Sequence, residues 1–170
     1  ATALGGTPCD CVNYALGHLY KDKIDLVVSG INYGENVGPT VFESGTVSAA
    51  RRAAILGYKS VAVSQPYAAI SDDLANAYVD RFIDILREHN YFQDIPNGEF
   101  VSINFPESEG YKIPNLIWEY SEFSTLRYGV DFGTTKEGQV FYKHRPPSYP
   151  AEGNCEYAVM NRQNISILKL

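Results

Sequence analysis

The sequence is short of several things that would have assigned it quickly. No apolar run approaches the roughly 20 residues that span a bilayer. The N-terminus has no basic stretch followed by an apolar core, so neither a membrane span nor a secretory leader is expected. Positive charge is scarce: 14 Lys and Arg against 20 Asp and Glu leave a net charge of −6. That balance argues against a general double-stranded nucleic-acid surface or an anionic-membrane surface, while a small local anion site survives it. Cysteine is limited to Cys9, Cys11 and Cys155, an odd set whose first two members stand too close for an unstrained bridge. A disulfide framework is therefore excluded, and a reducing, cytoplasmic compartment is expected. His18, His89 and His144 are scattered without ligand spacing, so zinc is not expected either.

What is present suits one soluble domain. A chain of 170 residues with 45% hydrophobic content buries one good core and falls short of two. "GTPCDCVNYALGHLY" predicts a helix with Thr7 as N-cap, Pro8 at the first helical position and Asp10 in the first turn, with Val12, Leu16 and Leu19 as its apolar stripe. Asp10 is adequately explained by capping and is not assigned to catalysis. "KIDLVVSG" and "KSVAVSQ" read as strands buried on both faces. Between them, "ESGTVSAARRAAILG" reads as a helix ending at Gly57.

The next helix, "SDDLANAYVDRFIDILREHN", is capped by Ser71. Its acidic start at Asp72 and Asp73 compensates the dipole, and Leu74, Tyr78, Phe82, Ile85 and Leu86 share one side. "EFVSINFP" is a further strand. Beyond Pro114 the composition turns aromatic and polar, with two strands predicted around Gly-Thr-Thr-Lys-Glu-Gly as a protruding hairpin, and "NISILKL" closes the chain as a strand. The alternation predicts an α/β fold: a Rossmann-like parallel sheet with helices on both faces plus a C-terminal β-hairpin arm. The expected division is residues 1–114 as core, 115–150 as an extended arm for oligomerisation and 151–170 as a closing segment.

Two segments offer chemistry. In parallel α/β sheets ligands gather beyond the carboxyl ends of strands, where "SGINYGENVG" lies. Asn32 there offers a neutral amide oxygen suited to a hard cation, and Asn36 either orients the loop or touches a bound group. The alternative is that both asparagines serve their own turns. Ser44, Gly45 and Thr46 precede an alanine-rich helix, where free N–H groups and the positive dipole end make an anion cradle. The alternative there is an ordinary Ser N-cap. Arg51 and Arg52 lie about two turns further on, too far to assume a shared anion. Glu35 and Glu43 are near in sequence but form no clean acidic dyad.

Taken together, "GGTPCDCV", "DLVVSGINYGENVG", "ESGTVSAARRAAILGYKSVAVS" and "FVSINFP" resemble, in order and spacing, the SurE family of metal-dependent nucleoside 5'-monophosphate phosphatases. The tail "EYAVMNRQNISILKL" more loosely resembles that family's closing segment. The resemblance implies a metal-dependent 5'-nucleotidase or acid phosphatase acting on nucleoside monophosphates or other phosphomonoesters. It also implies one divalent cation, Mg²⁺ or Mn²⁺, per subunit and a homodimer or homotetramer. It places Asn32 on the metal-binding asparagine, Ser44, Gly45 and Thr46 on the phosphate loop, and Asn36 on the second asparagine of the substrate loop. It also implies that Cys11 is buried.

The family's N-terminal Asn-Asp-Asp-Gly stretch has no counterpart here, so the nucleophile and general base stay unassigned, and Asp72 and Asp73 do not inherit the role. The chain is expected to lack that N-terminal section and to be weak as a catalyst alone. A phosphate- or nucleotide-binding or assembly module without the acidic ligands is the alternative.

Overall fold

The computed structural model describes residues 1–21, 23–67, 72–88, 95–96, 98–107, 117–126, 129–145 and 152–170. Ser71, His89 and Pro114 lie outside them. The chain opens with α1 (Pro8–Tyr14), as the Thr-Pro start predicts. Thr7 and Asp10 form a reciprocal cap: the Asp10 carboxylate accepts from the Thr7 N–H at 2.8 Å and the Thr7 hydroxyl at 2.7 Å, while the Asp10 N–H donates to Thr7 Oγ1 at 3.3 Å. The Thr7 hydroxyl, then its N–H, hold the Asp10 carboxyl below the usual carboxylate range. The helix then widens into a π turn (Ala15–Leu19), closed by Tyr20 N–H to Ala15 O. Val12 and Leu16 are buried against the next helix; Leu19, expected on the same stripe, is exposed because the wider turn rotates it away.

A five-stranded sheet runs in the order β1-β2-β3-β7-β4, with β1 (Val27–Tyr33), β2 (Ser60–Gln65), β3 (Val101–Asn104), β4 (Trp118–Tyr120) and β7 (Ile165–Lys169). The first three strands are parallel, whereas β7 runs antiparallel to β3 and β4 runs parallel to β7. The sheet is therefore mainly parallel with its last two strands reversed. Helix α4 (Glu156–Asn161), which the sequence reading did not anticipate, precedes β7 and packs on it. Strand β4 pairs in the core sheet although it falls inside the stretch expected to form the arm.

Side-chain alternation puts helices on both faces. Val61 and Val63 of β2 point to α3 (Asp72–Glu88), whose Tyr78, Phe82 and Ile85 pack with Val101, Ile103, Ile165 and Ile167. Full burial of each such side chain contributes about 1.5–3 kcal/mol. Ala62 points the other way, to Val47, Ala50 and Ala54 of α2 (Gly45–Ile55). Alanines here let α2 lie close on the sheet, and α1 packs across Ala49 and Ala53. Gly57, at φ +86°, ends α2 in a Schellman turn, its N–H bonding Ala54 O while Tyr58 N–H bonds Ala53 O.

The expectation that "IDLVV" is buried on both faces fails at Val28, which is 46% exposed. Strand β1 is the end strand of the sheet, and the α3 cluster reaches Leu26 and Ile31 but not Val28. A separate antiparallel ladder joins β5 (Gly129–Thr134) to β6 (Val140–Arg145), so Gly133 and Thr134, expected in the turn, are strand residues. The turn itself is Thr135 to Gln139, with Gly138 at φ +83°.

Candidate functional site

The sequence motifs meet at the carboxyl end of β1. In the β1–β2 ladder Ser29 pairs with Ala62 and Asn32 with Ser64, three steps on one strand against two on the other. The extra residue is a bulge, and it changes the face that Asn32 points to. Without it, Asn32 and Ser29 would project to opposite faces; with it, Asn32 joins Ser29 and Ala62 on the face covered by α2. Gly30 makes the bulge: its φ is +131°, and a Cβ there would fall 2.3 Å from Val63 O.

Asn32 consequently sits beneath the first turn of α2. Its Oδ1 accepts from Thr46 Oγ1 at 3.0 Å, and its Nδ2 donates to Gly34 O at 2.8 Å. One of the two predicted segments thus touches the other, while the Asn32 amide also serves its own turn. Ser44 is the N-cap of α2, its Oγ accepting from Val47 N–H at 3.1 Å, which is the ordinary capping geometry. With Val47 capped and Ser48 bonded to Ser44 O, the N–H groups of Gly45 and Thr46 remain as first-turn donors at the positive end of the helix. Gly45 also has a packing reason: a Cβ there would lie 3.1 Å from Pro8 Cγ. The "GTPCDCV" helix therefore buttresses the helix start, and Cys9 Sγ donates to Ser48 O at 3.3 Å. Cys11, expected to be buried, is exposed because α1 turns the Val12 face inward.

Asn36 makes no hydrogen bond to Thr46 among the described residues. It is buried and committed to the core, its Nδ2 donating to Ser64 Oγ at 2.8 Å and its N–H to Asn104 Oδ1 at 2.8 Å, while Asn104 Nδ2 returns a bond to Asn36 O at 3.1 Å. Of the two roles weighed for it, orienting the loop is the one these bonds perform. Arg52 Nε is engaged by Asn13 Oδ1 at 2.6 Å and Arg51 by Ser48 Oγ at 3.3 Å, away from the helix start.

The sequence reading missed a second tie to this loop. Glu156, fully buried at the start of α4, accepts from Gly38 N–H through Oε1 at 3.1 Å and from Ser124 N–H through Oε2. Burial pushes its carboxyl above the usual range, and the three backbone N–H groups that bond it, those of Gly38, Ser124 and Glu156 itself, offset part of that. Gly38 at φ +54° lets the chain press against Ser124 O and Leu126 O, where a Cβ would meet them at 2.9 and 3.0 Å. Asn104 was visible at the end of "FVSINFP"; Glu156 offered only an acid in an unrecognised short helix.

Among the described residues, no three His, Cys, Asp or Glu side chains converge. Asn32 supplies one neutral oxygen, already hydrogen-bonded, and a hard divalent cation needs several, normally including carboxylates. These residues alone do not make a cation site. No helix among the described residues is long and apolar enough to cross a membrane.

Comparison with known proteins gives one consistent result. The family described as survival protein SurE matches residues 1–125. The chain is 38% identical over 105 residues to the 5'-nucleotidase SurE of Lawsonia intracellularis, covering 62% of this chain and 41% of that protein. It is 34% identical over 170 residues to the 5'-nucleotidase SurE of Pseudothermotoga lettingae, covering 97% of this chain and 62% of that protein. The chain thus spans about two fifths to three fifths of the length of these curated relatives. The crystal structure of SurE protein from Aquifex aeolicus superposes with a TM-score of 0.72 at 29% identity, covering 98% of this chain and 67% of that one. On the match over residues 1–125 and on these relatives, the chain belongs to the SurE family.

Proposed function

We propose that the protein is a metal-dependent phosphomonoester hydrolase that releases phosphate from nucleoside 5'-monophosphates. The contact of Asn32 Oδ1 with Thr46 Oγ1 at 3.0 Å carries this reading, because it sets a strand-end amide oxygen against a helix start whose Gly45 and Thr46 N–H groups have no partner among the described residues. Relatives named 5'-nucleotidase support it. In this reading Gly45 and Thr46 N–H groups bond the phosphate oxygens, and the α2 dipole favours the anion and the charge that builds as the ester bond lengthens. Ser44 keeps the first turn open by capping Val47. Asn36 holds the loop in place without touching substrate. One Mg²⁺ or Mn²⁺ per subunit, with Asn32 among its ligands and carboxylates from outside the described residues, completes the proposal. The free thiols of Cys9, Cys11 and Cys155 support a cytoplasmic setting.

The test is phosphate release from adenosine 5'-monophosphate, with and without Mn²⁺, by this chain and by the longest natural form of the protein. Mn²⁺-dependent turnover in the long form, reduced roughly 100-fold by Asn32→Ala, is the expected result. A long form that binds phosphate without hydrolysing it, with or without metal, would leave the anion-binding module as the function.

The β5–β6 hairpin supports assembly as a homodimer or homotetramer. It exposes Phe132 (76%), Val140 (77%) and Tyr142 (63%), and an isolated two-stranded hairpin is marginal in water. Deleting residues 129–145 is expected to lower the mass in solution, read by light scattering, before it lowers phosphate release per subunit. An unchanged mass would remove the hairpin from the assembly.

A further inference from the structure

Beside the α2 start, on the other side of the end of β1, the chain carries an aromatic corner. After the bulge, Asn32 projects to the α2 face and Tyr33 to the opposite one. Tyr33 pairs with Gln65, and the Tyr33 and Tyr67 rings meet at 5.1 Å with their planes 59° apart. Both rings reach solvent, Tyr33 at 49% and Tyr67 at 73% exposure. Gly34 brings this corner to the site. Its carbonyl takes the Asn32 amide at 2.8 Å, and a Cβ on it would lie 3.3 Å from Tyr67 Cδ2. The corner is therefore one residue's breadth from the Asn32 amide. Directly opposite Tyr33 in the ladder, Gln65 is 5% exposed, and its Oε1 has no hydrogen-bond partner among the described residues. A buried acceptor left unmet is a standing cost that a donor group nearby would relieve.

We propose that the Tyr33–Tyr67 corner is the nucleobase subsite of the enzyme. A purine or pyrimidine ring lies on the exposed tyrosine face while the phosphate of the same molecule sits at the start of α2. Stacking on an aromatic side chain suits any base, because every base presents a π face. The corner thus selects nucleotides over base-free phosphomonoesters and discriminates weakly among bases.

This inference rests on the phosphatase reading only for where the phosphate lies, and the experiment separates the two. Adenosine 5'-monophosphate and ribose 5-phosphate are titrated by calorimetry into the longest natural form of the protein, metal-free. Their hydrolysis with Mn²⁺ is measured in parallel. The wild type is expected to bind the nucleotide at least 10-fold more tightly than the sugar phosphate. The doubly substituted Tyr33→Ala, Tyr67→Ala protein should lose about 10-fold in nucleotide affinity, with ribose 5-phosphate unchanged, and Tyr33→Phe, Tyr67→Phe should restore it. Equal binding of the two ligands by the wild type, or a nucleotide affinity indifferent to the alanines, overturns the subsite even where hydrolysis is robust. Absent hydrolysis with tyrosine-dependent nucleotide binding overturns the phosphatase and leaves the base subsite standing.

Discussion

Gly30→Ala is expected to lower the unfolding free energy by about 4 kcal/mol and to abolish whatever activity depends on Asn32. Two costs add. At φ +131° the residue occupies backbone space that side chains rarely adopt, a strain on the order of 1–3 kcal/mol. The new methyl would also stand 2.3 Å from Val63 O, a backbone atom of the neighbouring strand that cannot rotate away, and overpacking of this kind costs about 1–3 kcal/mol. The cheapest relief is to lift β1 off β2 at the bulge. That movement undoes the change of face that aims Asn32 at Thr46, so binding at the α2 start should fail further than stability does. For a chain of this size, about 4 kcal/mol corresponds to a fall in Tm of roughly 8–16 °C. Gly34→Ala, at φ +107°, carries comparable backbone strain, but its Cβ would meet only the Tyr67 side chain, at 3.3 Å, so it isolates the strain from the clash with the neighbouring strand and should cost about 2 kcal/mol. A Gly30→Ala protein within about 2 °C of wild type, with phosphate or nucleotide binding intact, would show that the bulge is not what positions Asn32.

The bulge also marks where sequence reasoning stops. Periodicity placed α2, β2, α3 and β3 because each has one dominant burial pattern along its length. The Thr7–Pro8–Asp10 cap was legible because capping is local chemistry, complete within four residues. Asn32 and Thr46 were singled out from their motifs, but their contact depends on one extra residue in a strand, which no hydrophobic pattern reveals. Asn36, four positions from Asn32 in the same segment, was left between orienting the loop and touching a bound group. The long-range bonds to Ser64 and Asn104 separate their roles. The closing strand β7 was read from "NISILKL", but its reversed direction and the whole of β4 escaped for a related reason: strand direction is a property of pairing, and "WEY" is too short to carry a signal of its own. Tyr67 and Gln65 were likewise visible only as residues near a strand end until the ring contact and the ladder, respectively, set them beside Tyr33.

Glu156→Ala is expected to be as damaging as the bulge substitution, from a different cause. The carboxylate is the acceptor for two backbone N–H groups in segments far apart in sequence, Gly38 in the loop before α2 and Ser124 after β4. Removing it strands two buried donors at about 1–3 kcal/mol each and leaves a cavity, a total on the order of 4 kcal/mol. Glu156→Gln keeps the volume and one acceptor but faces the other N–H with a donor, so its cost should be smaller, about 2 kcal/mol. The pair of variants also separates charge from shape. Because burial raises the folded-state carboxyl above its unfolded value, the native protein holds the proton to higher pH than the unfolded chain does. The stability linked to that proton is fully present below the ordinary carboxyl range and is lost as pH rises through the raised folded value. Asp10 and Glu119, lowered by Thr7 and Arg162 respectively, slope the opposite way, contributing above their unfolded values and fading as pH falls. Subtracting the Glu156→Gln unfolding free energies from those of wild type cancels Asp10 and Glu119. The difference should decline from acid pH toward neutrality and then level. A flat difference would mean that Glu156 is no more strained as an anion in the fold than in water, its backbone donors having fully replaced the lost solvent.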